Sequence, residues 1–258
     1  MDPSAKVKAD ILAKYNGEAG ELDNAEWLSA GDSARVPESR ASHYFIDRKV
    51  TEALKLAGTS ASQESKVLEI GCSFGHMTSL LAARFKDLTA VDLSPDSVEV
   101  AHKRLTRYGI TNVSFVVDDA ESLTKLPDEA FDVVFSFSTI RFCPNPQAAL
   151  NSIHRKLRRG GVAIIDFPNR YSPWHGAIKR LLGIAPHIHD TLYTRSQAVK
   201  LFKNAGFRVE DVRQFLFTTK RLPAVLLPLS KAADAIFERV GPLCRLAGII
   251  MVKGVKEQ

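Results

Sequence analysis

The chain has 258 residues, of which 45% are hydrophobic and 25% charged, and this composition excludes a disordered or fibrous protein. The formal net charge is +6, but the basic residues form small scattered clusters such as 155–159. We therefore expect a solvated basic face, with only a slight preference for anionic partners. Cys72, Cys143 and Cys244 are odd in number and far apart, which indicates neither a disulfide framework nor a metal site.

No targeting or membrane signal is visible in the sequence. The N-terminal residues lack the apolar segment of a signal peptide, and no apolar run reaches the length of a transmembrane helix. Together with the cysteine content, this predicts a cytoplasmic protein.

Residues 1–62 are predicted to form a helical N-terminal extension that precedes a main domain at 63–258. Ile11, Leu12 and Tyr15 indicate a short amphipathic helix. A polar stretch through 37–39 separates it from a second predicted helix over 42–56, which Gly58 ends.

The next segment, 67–76, reads as a buried strand followed by a glycine-bearing turn and a helix. Gly71 and Gly75 allow the backbone to bend sharply and to approach a ligand closely. A dinucleotide fingerprint counted from Gly71 would need glycines where the chain has Ser73 and His76, and the Gly-Lys-Ser/Thr ending of a phosphate-binding P-loop is absent.

The remaining pattern, Glu69-x-Gly71-x-Ser73-x-Gly75, resembles the first motif of class I S-adenosylmethionine (SAM) dependent methyltransferases of the small-molecule type 11/12 kind. Ser73 departs from the usual middle glycine of that motif. The resemblance implies SAM as cofactor, S-adenosylhomocysteine as its product, and cofactor contacts from the turn itself: Glu69, Gly71, Cys72, Ser73 and Gly75.

Acidic residues follow the second and third predicted strands. Asp92 ends the second strand, where a carboxylate can accept both hydroxyls of a ribose lying over the first turn, and Leu93 follows it. Ser94 is the predicted cap of the next helix. After the third strand, the family resemblance implies that Asp119, paired with Ala120, accepts the adenine amino group, while Asp118 either shares this role or is a turn residue.

Segment 131–136 is the predicted fourth strand and resembles the family's Phe-Asp-Val-Val segment. Its last residue, Ser136, is a further candidate for cofactor contact at the carboxyl edge of the sheet. A helix is predicted from Asn145 through Arg158, ended by Gly160 and Gly161 before a fifth strand at 162–167. The resemblance implies a Rossmann-like, doubly wound α/β sheet of seven strands, mostly parallel, whose last strand is antiparallel.

Two long segments on the substrate side, about 168–193 and 220–247, interrupt this pattern. The first contains the candidate catalytic bases His175, His187 and His189. The second holds a predicted amphipathic helix in an unusually apolar context; it either covers the substrate pocket or contacts a membrane or partner. Candidate substrate contacts are Tyr44, Phe137, Arg141, Trp174 and Tyr193. In the extension, Arg40, Tyr44 and Phe45 either contact the cofactor or substrate or pack the second helix onto the sheet.

The resemblance implies methyl transfer to oxygen or nitrogen of a small acceptor, with an apolar or lipid-like metabolite as the leading hypothesis. The nucleic-acid amine methylases carry an Asn/Asp-Pro-Pro-aromatic motif after strand four, whereas this chain has 136–139 as Ser-Phe-Ser-Thr. Quinone-precursor O-methyltransferases carry Glu and Glu-His where this chain has Ser138 and Arg141-Phe142, which weakens a quinone assignment. Asp166 and Asn169 do not reproduce the Asp-Asn pair of the metal site in catechol methylases. The alternatives are a non-catalytic SAM-binding partner or regulator, and a membrane-surface interaction protein.

Overall fold

The computed structural model describes residues 3–23, 40–175, 188–220 and 222–257. These residues form a seven-stranded sheet in the order β3-β2-β1-β4-β5-β7-β6. Five strands run parallel, and β7 lies antiparallel between β5 and β6. The strands are β1 Lys66–Ile70, β2 Asp87–Asp92, β3 Val113–Val117, β4 Phe131–Ser136, β5 Leu157–Pro168, β6 Phe207–Phe215 and β7 Ile249–Lys256. The fold class predicted from the sequence is confirmed.

Eight α-helices are described, most of them between consecutive strands. They are α1 Pro3–Asp23, α2 Arg40–Ala57, α3 His76–Ala82, α4 Pro95–Arg107, α5 Pro146–Lys156, α6 Arg195–Asn204, α7 Leu227–Phe237 and α8 Gly241–Cys244. Ser94 accepts a hydrogen bond from the Ser97 amide at the start of α4, as expected of a cap, and Thr194 with Gln197 forms a capping box at α6. None of the described helices is both long enough and apolar enough to cross a bilayer.

The sheet is buried on both faces, which explains the continuous apolar runs of its central strands. One cluster of apolar side chains packs β1, β4 and β5 against α5 and α6, and a second packs the opposite face against α2 and α3. Because the parallel strands run in one direction, the turns after β1, β2, β3 and β4 meet at one edge of the sheet.

The prediction that the fifth helix continues through Arg158 is wrong. The helix ends at Lys156, and Leu157 already pairs with Phe131 of β4. The register then shifts before Val162 pairs with Val133, so residues 158–161 bulge out of the strand. Gly160 at φ 73° supplies the backbone bend, and burial of Leu157 in the sheet outweighs the helical preference of the preceding residues.

The N-terminal helices are longer than the sequence pattern indicated. Helix α1 has 21 residues rather than a short segment, and it packs along α4. Helix α2 lies on the sheet through Ile46, Val50 and Ala53, but it also buries Lys49 completely. A fully buried lysine needs a charged partner, and its partner lies in the functional site.

Candidate functional site

A cavity of about 660 Å³ opens at the carboxyl edge of the sheet, a volume typical of small-molecule and cofactor sites. Its floor is the turn after β1, and the ends of β2, β3 and β4 form its sides. Helix α1 and the segment after β6 cover it. Elements distant in sequence therefore converge on one enclosed site.

The turn after β1 is the most constrained part of the cavity wall. Gly71 has φ 81°, and a Cβ added there would collide with the Thr139 side chain. The Gly71 and Cys72 amides both donate to the Val91 carbonyl, at 2.7 and 3.0 Å. Ser73 adopts φ 46°, a left-handed conformation that explains why glycine is usual at this motif position.

Asp92 is held in place by backbone donors from two directions. Its Oδ2 accepts from the Ser73 amide at 2.8 Å, and its Oδ1 accepts from the Ser94 amide at 3.0 Å. Burial raises the pKa of the carboxyl, while these hydrogen bonds act in the opposite direction. Each oxygen retains a lone pair, so a vicinal diol in the cavity can still donate to it.

The two acids after β3 have different surroundings. Asp118 is buried, and its carboxylate accepts from the amides of Asp119 and Lys125, at 2.8 Å each. Asp119 is more exposed, and its Oδ2 lies 2.6 Å from Lys8 Nζ on α1. Asp118 therefore organises its own loop, whereas Asp119 presents an oxygen towards the covering helix.

Glu69 lies in β1 and faces the cavity from beneath the turn. Its side chain is buried, and Oε2 has no hydrogen-bond partner among the described residues. Burial raises the pKa of Glu69 to about 8, and the charge of Asp92 acts in the same direction. A donor group of a bound ligand would satisfy the orphaned oxygen.

Helix α1 closes the cofactor end of the cavity by polar and aromatic contacts. Lys8 forms ion pairs with Asp119 and Glu121, the latter at 2.5 Å. Asn16 accepts from the Ser94 hydroxyl at 2.6 Å, and the Tyr15 ring lies edge-on to Phe142 with centroids 6.2 Å apart. The helix thus joins the ends of β2, β3 and β4 into one wall.

Comparison with known proteins shows a similarity to methyltransferases. Residues 68–165 match the model of a methyltransferase domain. A malonyl-acyl-carrier-protein O-methyltransferase of Paenibacillus sp. (strain JDR-2) is 28% identical over 56% of this chain and 55% of its own length. A ubiquinone biosynthesis O-methyltransferase of Xanthomonas euvesicatoria pv. vesicatoria (strain 85-10) is 28% identical over 65% of this chain and 70% of its own.

Two solved structures share the fold across nearly the whole chain. The cyclase SpnF superposes with a TM-score of 0.68 at 20% identity, covering 96% of this chain and 95% of its own. The magnesium protoporphyrin IX methyltransferase of Synechocystis PCC 6803, with bound S-adenosylhomocysteine, has a TM-score of 0.65 at 13% identity. The match covers 97% of this chain and 100% of that protein. Residues 68–165 are therefore similar to a methyltransferase domain, and the fold is the one found in these solved structures.

The residues of the cavity fit SAM, the cofactor that the sequence resemblance implies. The Gly71 turn leaves room for close approach, Asp92 offers acceptors for a ribose diol, and Glu69 has an orphaned buried oxygen. The oxygens of Asp92 and Glu69 suit a ligand that offers hydrogen-bond donors, such as hydroxyl and ammonium groups.

Most sequence-predicted cofactor residues line the cavity. These are Glu69, Gly71, Cys72, Ser73, Asp92, Leu93, Asp119 and Ala120. Gly75 and Ser136 do not line it. Gly75 caps the start of α3, and a Cβ added there would lie against Ala101 and Leu105 of α4. The Ser136 hydroxyl donates to the Ile70 carbonyl between β4 and β1.

The predicted substrate and catalytic residues are divided between the cavity and its surroundings. Phe45, Phe137, Arg141, Trp174 and His175 line the cavity. Arg40 is exposed and does not line it, the Tyr44 ring contacts Lys231 of α7, and Tyr193 packs in the core against Phe167. His189 contacts Asp10 of α1 at 2.9 Å, outside the cavity wall. His187 lies outside the described residues.

Several residues of the site were missed by the sequence reasoning. Lys8 and Tyr15 line the cavity, and Lys49 and Asp166 lie behind Ser138 as a buried ion pair. No sequence signal identifies Lys8, because helix α1 is polar on most of its surface. A lysine at a core-facing position of α2 was the available signal for Lys49.

Proposed function

We propose that the protein transfers the SAM methyl group to an oxygen or nitrogen atom of a small metabolite with an apolar or lipid-like body. The observation that carries the proposal is the extent of the cavity. Beyond the cofactor turn, it continues between apolar side chains: Phe45, Phe137, Trp174, Leu216, Phe217 and Ile249. This wall supports an acceptor with a hydrophobic body next to the cofactor site.

The chemistry requires little from the protein beyond orientation. Bound SAM supplies an electrophilic methyl group on its sulfonium. The residues of the chain hold the cofactor and align an acceptor behind that methyl group, which can contribute several kcal/mol to rate acceleration. A hydroxyl acceptor would also need a base within hydrogen-bond reach, and His175 is the candidate histidine that lines the cavity.

The curated relatives favour oxygen over nitrogen as the acceptor atom. The Paenibacillus and Xanthomonas proteins are both O-methyltransferases by name. Ser138 and Arg141 replace the acids expected of a quinone-precursor enzyme, and Arg141 forms an ion pair with Asp190. We therefore do not extend the quinone substrate of the Xanthomonas relative to this chain.

The test is transfer of an isotopically labelled methyl group from SAM to the molecules of a cell extract. A non-catalytic SAM-binding regulator, which is the alternative, would bind SAM in titration calorimetry and transfer no label. Labelled extract components that depend on the protein support methyl transfer. Tight SAM binding without labelled product supports the regulator and rejects the enzyme.

We propose further that residues 1–62 cap the cofactor site. The contacts of Lys8 with Asp119 and of Asn16 with Ser94 support this role for α1. Removal of the residues before residue 40 is expected to weaken SAM binding in calorimetry. An unchanged SAM affinity would reject the cap.

We also propose that segment 220–247 contacts an anionic membrane surface. Large apolar side chains are exposed along it: Val225, Leu226, Leu229, Ile236, Phe237, Val240, Leu243 and Leu246. Lys231, Arg239 and Arg245 lie in the same segment, and such a mixture suits an anionic interface. Co-sedimentation with phosphatidylglycerol vesicles should fall for Leu229→Glu/Ile236→Glu; equal sedimentation of the variant and the native chain would reject the contact.

A further inference from the structure

A buried polar cluster lies behind the part of the cavity that Phe45 and Phe137 line, where the methyl acceptor is proposed to bind. It consists of Lys49 from α2, Ser138 after β4 and Asp166 near the end of β5. Lys49 Nζ donates to Ser138 Oγ at 2.6 Å and forms an ion pair with Asp166, and the Ser138 amide donates to Asp166 Oδ1 at 2.5 Å. The side chains of Lys49 and Asp166 are 0% and 1% exposed.

The chemistry of the donors fixes the direction of the hydrogen bond between Lys49 and Ser138. An ammonium group can only donate, so Ser138 Oγ accepts from it and directs its own proton elsewhere. Burial lowers the pKa of Lys49 from its ordinary value of 10.5, but the adjacent Asp166 carboxylate favours the ammonium form. The described residues provide no acceptor for the Ser138 proton, and Ser138 lines the cavity. The Ser138 proton therefore remains available to a hydrogen-bond acceptor of a ligand.

The backbone of Ser138 indicates that its position is imposed by these contacts. Its φ of 57° is uncommon for a residue with a side chain, and such conformations persist where the surroundings determine them. The bond from the Ser138 amide to Asp166 and the bond from Lys49 to its hydroxyl hold both ends of the residue. The hydroxyl is thus fixed in direction before a ligand arrives.

The surrounding charge favours an anionic ligand group at this end of the cavity. Lys49 and Lys220 lie 5.4 and 5.6 Å from the centre of the Phe45 ring, so two cations flank one aromatic wall. The acidic lining residues lie at the end closed by α1 instead: Glu18, Glu69, Asp92, Asp118, Asp119 and Glu121. Donation from Lys49 also polarises the Ser138 hydroxyl, which strengthens it as a donor.

From the Lys49–Ser138–Asp166 cluster we infer that Ser138 binds one carboxylate oxygen of the methyl acceptor, which leaves the other oxygen free to attack the methyl group. This inference rests on the proposed methyl transfer. The acceptor is then a carboxylic acid with an apolar body, and the product is its methyl ester. An O–CH₃ bond forms, the S–CH₃ bond breaks with its electron pair passing to sulfur, and the negative charge of the carboxylate is neutralised. No proton moves, so no general base is needed.

The experiment measures transfer of a tritiated methyl group from SAM to a cell extract, followed by treatment with alkali. Alkali hydrolyses methyl esters and releases the label as volatile methanol, whereas methyl ethers and methylamines retain it. Ser138→Gly removes the hydroxyl and accepts the positive φ, so the fold is retained. Glu129→Gly is the matched control, because Glu129 has φ 53° and precedes β4 at the opposite end of the sheet.

We expect alkali-labile label with the native chain and with Glu129→Gly, and a rate about 10- to 100-fold lower with Ser138→Gly, the range for loss of a hydrogen bond to a charged group. SAM affinity in titration calorimetry should remain within about threefold, because the effect is on the acceptor. Alkali-stable label or an undiminished rate overturns the inference. A parallel loss of SAM affinity also overturns it, because Ser138 would then bind the carboxylate of SAM itself. If the native chain transfers no label at all, the proposed methyl transfer fails first.

Discussion

A hydrogen bond of 2.8 Å from the Ser73 amide to Asp92 Oδ2 joins the turn after β1 to the end of β2. The bond depends on the left-handed backbone of Ser73, which turns its N–H towards the neighbouring strand. It fixes the carboxylate over the turn on which the cofactor is expected to lie. Asp92 and the turn are therefore one structural unit.

Replacing Asp92 should weaken SAM binding more than it weakens the fold. Asp92→Asn keeps an acceptor for one amide but loses the charge, and we expect a 10- to 100-fold loss of SAM affinity from the lost charge-assisted hydrogen bonds. Asp92→Ala should also lower the free energy of unfolding by about 1–3 kcal/mol, because the Ser73 and Ser94 amides lose their acceptor. Titration calorimetry and urea denaturation measure the two effects.

The control for this prediction is Asp87→Asn, an exposed acid at the other end of the same strand. It should leave both SAM affinity and stability unchanged. Unaltered SAM affinity in Asp92→Asn would reject the assignment of Asp92 to the ribose.

Gly71 should be less tolerant of a side chain than other glycines with positive φ. Gly71→Ala combines the strain of φ 81° with a collision against Thr139, whereas Gly109→Ala has φ 67° and open space around the new methyl group. We expect Gly109→Ala to cost about 1–2 kcal/mol of stability with normal SAM affinity. Gly71→Ala should cost more and abolish SAM binding, as measured by denaturation and calorimetry. Similar behaviour of the two variants would show that backbone strain alone matters.

The sequence predicted the parts of the site that depend on local backbone geometry. The spacing of Gly71, Ser73 and Gly75 identified the turn, and the position of Asp92 after a buried strand placed it at the same edge of the sheet. These inferences succeed because parallel strands bring their carboxyl ends together whatever the rest of the chain does. The helix boundary at Lys156 was mispredicted because pairing of Leu157 with Phe131 is a tertiary contact.

The contacts that depend on long separations in sequence could not be predicted. Lys8 meets Asp119 across 111 positions, and Lys49 meets Ser138 across 89. No local pattern marks such pairs, because the sequence around one residue does not identify its distant partner. The same holds for His189, whose partner Asp10 lies on α1.

Substitutions of Asp118 and Asp119 should have different effects: Asp118 should matter for stability and Asp119 for SAM binding. Asp118→Asn weakens a carboxylate that accepts from two backbone amides, so we expect a loss of about 1–2 kcal/mol in stability with SAM affinity little changed. Asp119→Asn should lower SAM affinity about tenfold and have a small effect on stability, since its ion pair with Lys8 is partly exposed. Each variant is the control for the other, and reversed effects would assign the adenine contact to Asp118.

Glu69 should make the protein less stable as the pH rises. Burial raises the pKa of Glu69 from 4.5 to about 8, so between these values the folded chain holds a proton that the unfolded chain has released. The free energy of unfolding should therefore be greatest below pH 4.5, as far as this group is concerned, and should decrease by up to about 1.4 kcal/mol per pH unit as the pH rises towards 8. Above pH 8 Glu69 is ionised in both states and contributes no further slope.

Glu69→Gln tests this assignment, because glutamine resembles the protonated acid and does not titrate. Urea denaturation at pH 5.5, 7 and 8.5 should show a flatter pH dependence for the variant, which should be more stable than the native chain at pH 8.5. Glu64→Gln, at an exposed acid just before β1, is the matched control and should retain the native pH dependence. If Glu69→Gln retains the native slope as well, then Glu69 is ionised in the folded protein and a charged partner must compensate it.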